Sequence, residues 1–274
     1  MLTKDGHASF APIGDDRGQA ARYSGPLFRE AARLHVGPGL AHPRRMAALI
    51  ASVLRRPRSL VALVELLRLT PQQVVGLTGS AEGRALGHYF NNRALGLIPQ
   101  NRLCRGVLFV PLEHQAYLRG RRRQALRTNL RKAAAADIGC EQSPDRERAL
   151  AAVEEILAAQ RNAPSEELRK DVVWRVSLPE ATLFLARSAS GEPLAVLGAV
   201  IDRDVCLIRV AVARDHRARW ALHDHLVREL GARGVSYLVA EGGGPFGALG
   251  LSAELHHYQH LLGYELRHLV PRKA

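Results

Sequence analysis

The most distinctive chemical feature of the sequence is a cationic segment without an acid, residues 117–133. It holds seven Arg or Lys side chains. Its apolar spacing predicts one long helix over residues 117–136 with one buried face. Arg123, Arg127 and Arg131 form a row on another face, where like charges repel by about a few tenths of a kcal/mol per pair. An anionic partner would offset that repulsion, so these arginines are candidate phosphate ligands. The alternative is a solvated basic face.

A second candidate phosphate site is the passage from a strand into a helix at residues 210–222. The first backbone N–H groups of a helix have no partner within the helix, and the helix dipole is positive at that end. Pyrophosphate groups bind at such places. Arg217 and Arg219 stand at this predicted helix start, and both are candidate phosphate ligands.

Two side chains near the carboxyl end could supply acid–base chemistry, which needs a tuned base and a proton donor. Glu241 follows a short apolar strand candidate and is the first candidate for a general base. Tyr258 is the candidate general acid. The alternatives are a salt-bridged or exposed Glu241 and a Tyr258 packed against Leu262. His216 and His223 are weaker candidates.

The histidines and cysteines form no recognisable metal or redox motif. His256 and His260 stand four residues apart on one predicted helix, but no HExxH pattern and no third ligand accompany them, so no metal is predicted. The three cysteines, Cys104, Cys140 and Cys206, include no CxxC pair, and their odd number argues against a disulfide framework. We therefore expect a reducing, cytoplasmic compartment.

The elements that must position these candidates lie in residues 103–270. Apolar alternation and turn signals predict the order strand, two helices, three antiparallel strands, helix, strand, helix, strand. The predicted strands cover residues 107–112, 182–187, 194–201, 205–212, 237–240 and 264–270. The predicted helices cover residues 117–136, 146–161, 218–232 and 253–262. This order predicts an α/β fold, a mixed, mostly antiparallel twisted sheet flanked by helices. Ligands bind in such sheets where neighbouring strands separate.

The element order and two short motifs resemble the GNAT superfamily of acyltransferases, in particular its FemAB-like branch. Residues 241–243, Glu-Gly-Gly, resemble a strand that ends in a polar residue followed by two glycines. Tyr258, Leu262 and Gly263 fit an aromatic-Lys-x-x-aromatic-Gly pattern, with Gln259 in the place of Lys. The resemblance covers about residues 103–270.

The resemblance implies an acyltransferase domain over residues 103–274 and an irregular and helical N-terminal extension over residues 1–102. It implies a donor that carries phosphate, either an acyl-CoA or an aminoacyl-tRNA, and an amine acceptor from a small-molecule or cell-envelope pathway. No permanently bound cofactor is expected. Arg219 or Trp220 stands where acetyl-CoA-dependent members have a glycine, a departure that favours tRNA, whereas superfamily frequency favours CoA.

Composition leaves two further classes open. The chain has 274 residues, with 39 Lys+Arg against 26 Asp+Glu and a formal net charge of +13. This balance suits a non-catalytic nucleic-acid-binding protein, although only 5% aromatic residues leave few stacking platforms. Residues 44–69 could instead anchor a peripheral membrane acyltransferase as a basic amphipathic segment. The longest uncharged apolar stretch, residues 46–54, is far below the roughly 20 residues that span a bilayer. Since the first residues also show no secretory signal, no transmembrane segment is expected.

Overall fold

The computed structural model describes residues 30 and 51 and residues 54–94, 98–99, 104–160, 165–240 and 253–273. The helices in these ranges are α1 (Pro57–Leu69), α2 (Ala81–Asn91), α3 (His114–Leu118), α4 (Gln124–Ala134), α5 (Arg146–Ala158), α6 (Glu166–Ser177), α7 (His216–Ala232) and α8 (Ala253–Leu262). A short 3-10 helix, Arg121–Arg123, precedes α4. The strands are β1 (Gln72–Leu77), β2 (Arg93–Ala94), β3 (Ile98–Pro99), β4 (Cys104–Phe109), β5 (Gly139–Ser143), β6 (Thr182–Arg187), β7 (Pro193–Asp202), β8 (Val205–Ala213), β9 (Tyr237–Ala240) and β10 (Glu265–Lys273).

Eight of these strands form one sheet, in the order β1-β10-β4-β9-β8-β7-β6-β5. The pairs β1–β10 and β8–β9 are parallel, and the other neighbours are antiparallel. The meander from β5 to β8 is followed by a crossover through α7 to β9. The predicted fold class, a mixed and mostly antiparallel sheet flanked by helices, is confirmed.

The helices cover both faces of the sheet, because successive strand residues point to opposite faces. On the first face, α4, α7 and α8 pack against buried residues that include Leu108, Cys206 and Leu238. On the second face, α2, α5 and α6 pack against residues that include Val107 and Leu207. Both faces of the central strands are therefore buried, and these strands are almost wholly apolar.

Polar side chains at the N-caps fix where four helices begin. The side chains of Ser80, Asp145, Ser165 and Asp215 accept hydrogen bonds from backbone N–H groups in the first turns of α2, α5, α6 and α7. Each bond satisfies a donor that the helix itself leaves unpaired, at a value of about 1 kcal/mol.

The predicted single helix over residues 117–136 is wrong. Gly120 has a φ of +89°, a backbone conformation that glycine adopts without the penalty of a side chain. This residue separates α3 from the 3-10 helix that leads into α4. Sequence periodicity did not reveal the break, because the residues on both sides are good helix formers.

Six elements were not predicted from the sequence: β1, α2, β2, β3, β5 and α6. The first four belong to the region predicted as an N-terminal extension. β1 is an edge strand of the main sheet, where it pairs with β10, and α2 packs on the second face. The division at residue 102 stays a prediction, and part of the extension shares the main sheet. Among the residues described, no helix is long and apolar enough to cross a bilayer.

Candidate active site

The two parallel strands at the centre of the sheet, β8 and β9, pair over the described part of β9. β8 and β9 pair over four positions, from Val205 with Tyr237 to Ile208 with Ala240. β8 then continues to Ala213, whereas the described part of β9 ends at Ala240. The outer half of β8 thus has an edge that no described strand covers on this side. This segment leads into the start of α7, the strand-to-helix passage that was predicted from the sequence as a ligand site.

A β-bulge follows the last described pair between β8 and β9. Ala199 on β7 pairs with Ile208, but the preceding Gly198 pairs with Val210, so Arg209 is an extra residue in β8. A Cβ at Gly198 would lie 2.9 Å from Val210 Cγ1, which explains why this position is a glycine. A bulge redirects the side chains and increases the local twist of its strand, and bulges are frequent beside active sites.

Two arginines on the second face stack on one tyrosine next to the bulge. The Arg209 guanidinium lies 4.8 Å from the centre of the Tyr89 ring, and that of Arg105 lies 5.3 Å from it. Arg105 is on β4 and Arg209 on β8, the two neighbours of β9. The sequence analysis missed this cluster. The sequence feature that could have indicated this cluster was Arg209, a charged residue within the apolar run of residues 205–213.

Glu241, the predicted general base, follows Ala240 directly in sequence. It lies outside the described residues, so its role stays a prediction.

The start of α7 carries its own anion. The Asp215 carboxylate accepts a bond from the Arg217 backbone N–H at 2.7 Å, and its Oδ2 lies 2.5 Å from Arg217 Nη2. The hydrogen bond from the Arg217 side chain holds the pKa of Asp215 below its usual value. Arg217 therefore lies at the predicted helix start but is already paired, and a bound phosphate would have to compete with Asp215 for it.

Arg219 and Tyr258 lie in direct contact on the first face. The guanidinium carbon of Arg219 lies 4.1 Å from the centre of the Tyr258 ring, and Trp220 packs edge-on against the same ring. The Tyr258 hydroxyl donates to the Arg219 carbonyl oxygen at 3.4 Å. Burial raises the pKa of Tyr258 above its usual value, so the phenol stays protonated at neutral pH and is a weaker proton donor than an exposed tyrosine.

Arg123 and Arg127 have structural contacts around the helix break. Arg123 Nε donates to the Tyr117 carbonyl at 3.2 Å, and its guanidinium stacks on the Tyr117 ring. Arg127 Nη1 donates to the Leu118 and Gly120 carbonyls at 2.6 and 2.9 Å. These bonds satisfy carbonyls that the end of α3 leaves unpaired.

The position of the Arg123 guanidinium also explains why residue 263, in the aromatic-Lys-x-x-aromatic-Gly pattern, is a glycine. Its guanidinium occupies the space into which a Cβ at Gly263 would project, and Gly263 has a φ of +83°. Arg131, the third arginine of the predicted row, is exposed, and its Nη2 lies 3.5 Å from Thr128 Oγ1. The predicted row therefore does not present three equivalent cations.

A buried hydrogen-bonded chain lies beneath these residues. His223 on α7 contacts Tyr117 OH through Nδ1 at 3.4 Å and Tyr264 OH through Nε2 at 2.8 Å. Burial, with the nearby charges of Arg219 and Arg123, lowers the pKa of His223 to about 3. The imidazole is thus neutral, and it joins α3, α7 and the residue before β10.

The structure brings some of the predicted site residues together and not others. Arg123, Arg219 and Tyr258 surround the buried chain that is centred on His223. Arg217 sits apart with Asp215. His216, a weaker candidate, is exposed. Among the described residues no group of His, Cys, Asp or Glu could hold a metal ion.

The sequence matches no family model and no curated protein. It is similar to solved structures that include a C-terminal DUF2156 domain assigned to a lysylphosphatidylglycerol synthetase from Agrobacterium fabrum, at 15% identity and a TM-score of 0.41, over 60% of this chain and 57% of that chain. A conserved protein of unknown function from Bacteroides thetaiotaomicron aligns at 13% identity and 0.45, over 68% and 64%. A GCN5-related N-acetyltransferase from Kribbella flavida aligns at 14% and 0.26, over 38% and 40%.

The chain thus spans less than two thirds of the length of each of these structures. Values this low carry no conclusion on activity or substrate. The GNAT-like fold class rests on the strand order and directions of the chain itself, and membership of the FemAB-like branch stays a prediction.

Proposed function

We propose that this protein is an acyltransferase that moves an acyl or aminoacyl group from a phosphate-bearing donor to an amine. The observation that carries the proposal is the short parallel pairing of β8 with β9. Beyond this pairing no described strand lies beside residues 209–213 on that side, and this segment runs from a β-bulge to the first turn of α7. In this proposal an extended donor arm lies along residues 209–213 as an added strand would, held by hydrogen bonds to the main chain.

The chemistry of acyl transfer assigns tasks to this segment and its neighbours. The amine must lose a proton, the donor carbonyl must be polarised, and the leaving group must gain a proton. Main-chain N–H groups of β8 beyond the bulge are suited to polarise the carbonyl. In this proposal Glu241 is the base and Tyr258 is the acid.

The exposed cations of the chain bear on which phosphate-bearing donor binds. The segment before and within α4 exposes five cations that suit a polyanion, Arg119, Arg121, Arg122, Arg131 and Lys132. A tRNA would contact many of them, and its affinity would fall steeply with salt because bound counterions are released. An acyl-CoA would contact few and show a shallow salt dependence. The salt slope of donor binding therefore separates the two donors.

The test is ligand-linked thermal stabilisation of the full chain. Acetyl-CoA, longer acyl-CoAs and lysyl-tRNA are added in turn, and the unfolding temperature is recorded. Lysyl-tRNA is included because one similar structure carries the name of a lysylphosphatidylglycerol synthetase. We expect one donor class to raise the unfolding temperature. If no donor of either class stabilises the chain, the proposal is wrong.

Two variants refine the test. Glu241→Gln should greatly lower turnover and leave donor binding intact, whereas full activity would remove Glu241 as the base. Arg217→Ala combined with Arg219→Ala should weaken the donor by a few kcal/mol through lost charge-assisted bonds. An unchanged donor affinity in that double variant would exclude the start of α7 as the phosphate site.

A further inference from the structure

Helix α1 carries apolar side chains on both of its faces. Leu66 is 1% exposed and packs with the core of the first face, and Ala62 is buried as well. On the opposite side, Val61 is 58% exposed and Val64 48% exposed. Leu60 and Leu69 are exposed as well. A helix that only covers a core has polar residues on its outer face. The apolar residues on the outer face of α1 therefore need another explanation.

Cations surround these outward apolar side chains. Arg58 and Arg68 are exposed on α1 itself, and Arg55 and Arg56 precede it. Glu65 is the acidic residue within α1. The start of the helix also borders a cleft of about 490 Å³, which is lined by Glu30, Arg55, Arg56, Pro57 and Arg58. The helix thus combines an apolar stripe with a cationic end.

We propose that the outward face of α1, formed by Leu60, Val61, Val64, Arg58 and Arg68, docks on an anionic lipid bilayer. Apolar side chains flanked by arginines are the composition of helices that lie in the bilayer interface. The apolar residues enter the boundary of the acyl chains, and the guanidinium groups contact lipid phosphates. A nucleic acid would use the arginines alone and leave the valines in water.

The attachment of α1 gives this docking a defined orientation. The ring of His268 on β10 bonds through Nε2 to the Leu67 carbonyl oxygen at 2.6 Å, and Leu66 belongs to the same core cluster as Tyr117 and Leu126. The helix therefore lies on the first face of the sheet. The exposed cations of the 3-10 helix precede α4, which covers that same face.

The test is flotation of the full chain with lipid vesicles, and it needs no substrate, so its outcome does not depend on the proposed activity. Vesicles of phosphatidylcholine alone are compared with vesicles that also contain phosphatidylglycerol, at low and moderate salt. The first variant is Val61→Asn with Val64→Asn. Its matched control is Leu112→Asn with Leu168→Asn, two leucines that are exposed elsewhere.

The charge variant is Arg58→Gln with Arg68→Gln, and its matched control is Arg148→Gln with Lys170→Gln, two exposed cations on α5 and α6. All variants are checked for wild-type helicity by circular dichroism. Because the four valine and arginine positions are exposed, their substitution should leave the fold intact.

We expect the wild-type chain to float with the anionic vesicles. The valine variant should bind about tenfold more weakly, since it loses two half-exposed apolar groups. The arginine variant should lose about fivefold for each charge. Both control variants should bind as the wild type does.

Three outcomes would overturn the proposal. One is no flotation of the wild-type chain at either salt concentration. Another is equal flotation of the valine variant and the wild type. In the third, the arginine variant binds both vesicles and tRNA more weakly than the wild type, whereas the valine variant binds as tightly as the wild type. That result would identify the surface as a general polyanion site.

Discussion

Asp215 is the residue whose change tests the start of α7 most sharply, because its carboxylate pairs with Arg217 at the proposed site of the donor phosphate. In Asp215→Asn the side chain keeps an oxygen for the N-cap bond, and asparagine caps helices about as well as aspartate. The variant loses one negative charge at the positive end of the helix and releases the Arg217 guanidinium.

The expected gain in donor affinity follows from two contributions. A charge at a helix terminus is worth about 0.3–1 kcal/mol, and Arg217 becomes available for a charge-assisted bond. Together they predict donor binding about tenfold tighter, or ~1.4 kcal/mol. The stability change should stay within about 1 kcal/mol, because the lost ion pair is partly exposed.

Isothermal titration of the donor measures this gain, and Asp145→Asn supplies the control. Asp145 caps α5 in the same way, so its variant should alter stability similarly and leave donor affinity unchanged. Unchanged or weaker donor binding in Asp215→Asn would refute the assignment of the phosphate site to α7.

The same variant has a pH signature. The pKa of Asp215 is lowered in the folded protein, so its stabilising contribution is present above the ordinary aspartate pKa of about 4. That contribution is lost as the pH falls through the lower folded value. Any stability advantage of the wild type over Asp215→Asn should therefore disappear in acid, as measured by denaturant unfolding.

Three further predictions concern the frame of the site. Gly198→Ala places a Cβ 2.9 Å from Val210 Cγ1 and should cost about 1–3 kcal/mol of stability by overpacking; a wild-type unfolding temperature would contradict the bulge geometry. Gly263→Ala should lower the free energy of unfolding by more than the roughly 1 kcal/mol that a positive φ costs a residue with a side chain. The loss beyond that value should vanish in an Arg123→Ala background. Additive losses in the double-mutant cycle would disprove the contact between Arg123 and residue 263. The pKa of His223 is about 3, so its contribution to stability is full above the ordinary histidine value of about 6.5 and falls by up to about 1.4 kcal/mol per pH unit below it. His223→Gln should flatten this slope in denaturant titrations between neutral and mildly acidic pH, and an unchanged slope would show that His223 is not buried as described.

The sequence predicted the central strands well because their physical signal is local. β6, β7 and β8 are apolar runs separated by short turns, and the bounds expected for β9 and α8 agree with the structure. In these segments the apolar pattern, the turn residues and the burial all favour one structure.

The break at Gly120 could not be predicted in this way. It depends on Arg123 and Arg127, whose bonds to carbonyl oxygens form only once α3, α4 and α8 are packed together. Local propensity favours a continuous helix there, and tertiary contacts override it.

Helix α2 was not predicted because it contains glycines, which have a low helix propensity. A Cβ at Gly83 would collide with the Thr78 backbone and with Asp202 Oδ2, so glycine is required by the packing of α2 against the end of β7. Asp202 is buried and accepts bonds from the Thr78 backbone N–H and hydroxyl. These partners are separated by 124 residues in sequence, beyond any local pattern.

The candidate site was predicted in part. The strand-to-helix passage was predicted from the sequence, and Arg219 and Tyr258 were named as separate candidates, but their contact with each other was not predicted. The stacking of Arg105 and Arg209 on Tyr89 was missed, because it joins three elements that are far apart in the chain. The pairing of Arg217 with Asp215 was missed although the two residues are near neighbours in sequence.

The proposed function places the acyl donor along residues 209–213 of β8 and at the first turn of α7. Hydrogen–deuterium exchange of the full chain, with and without the donor that stabilises it, tests this most directly. If the donor binds there, amide exchange should be slower in residues 209–213 and in the first turn of α7 when the donor is present. Donor binding that leaves exchange in these residues unchanged, with slower exchange confined to other parts of the chain, would contradict it.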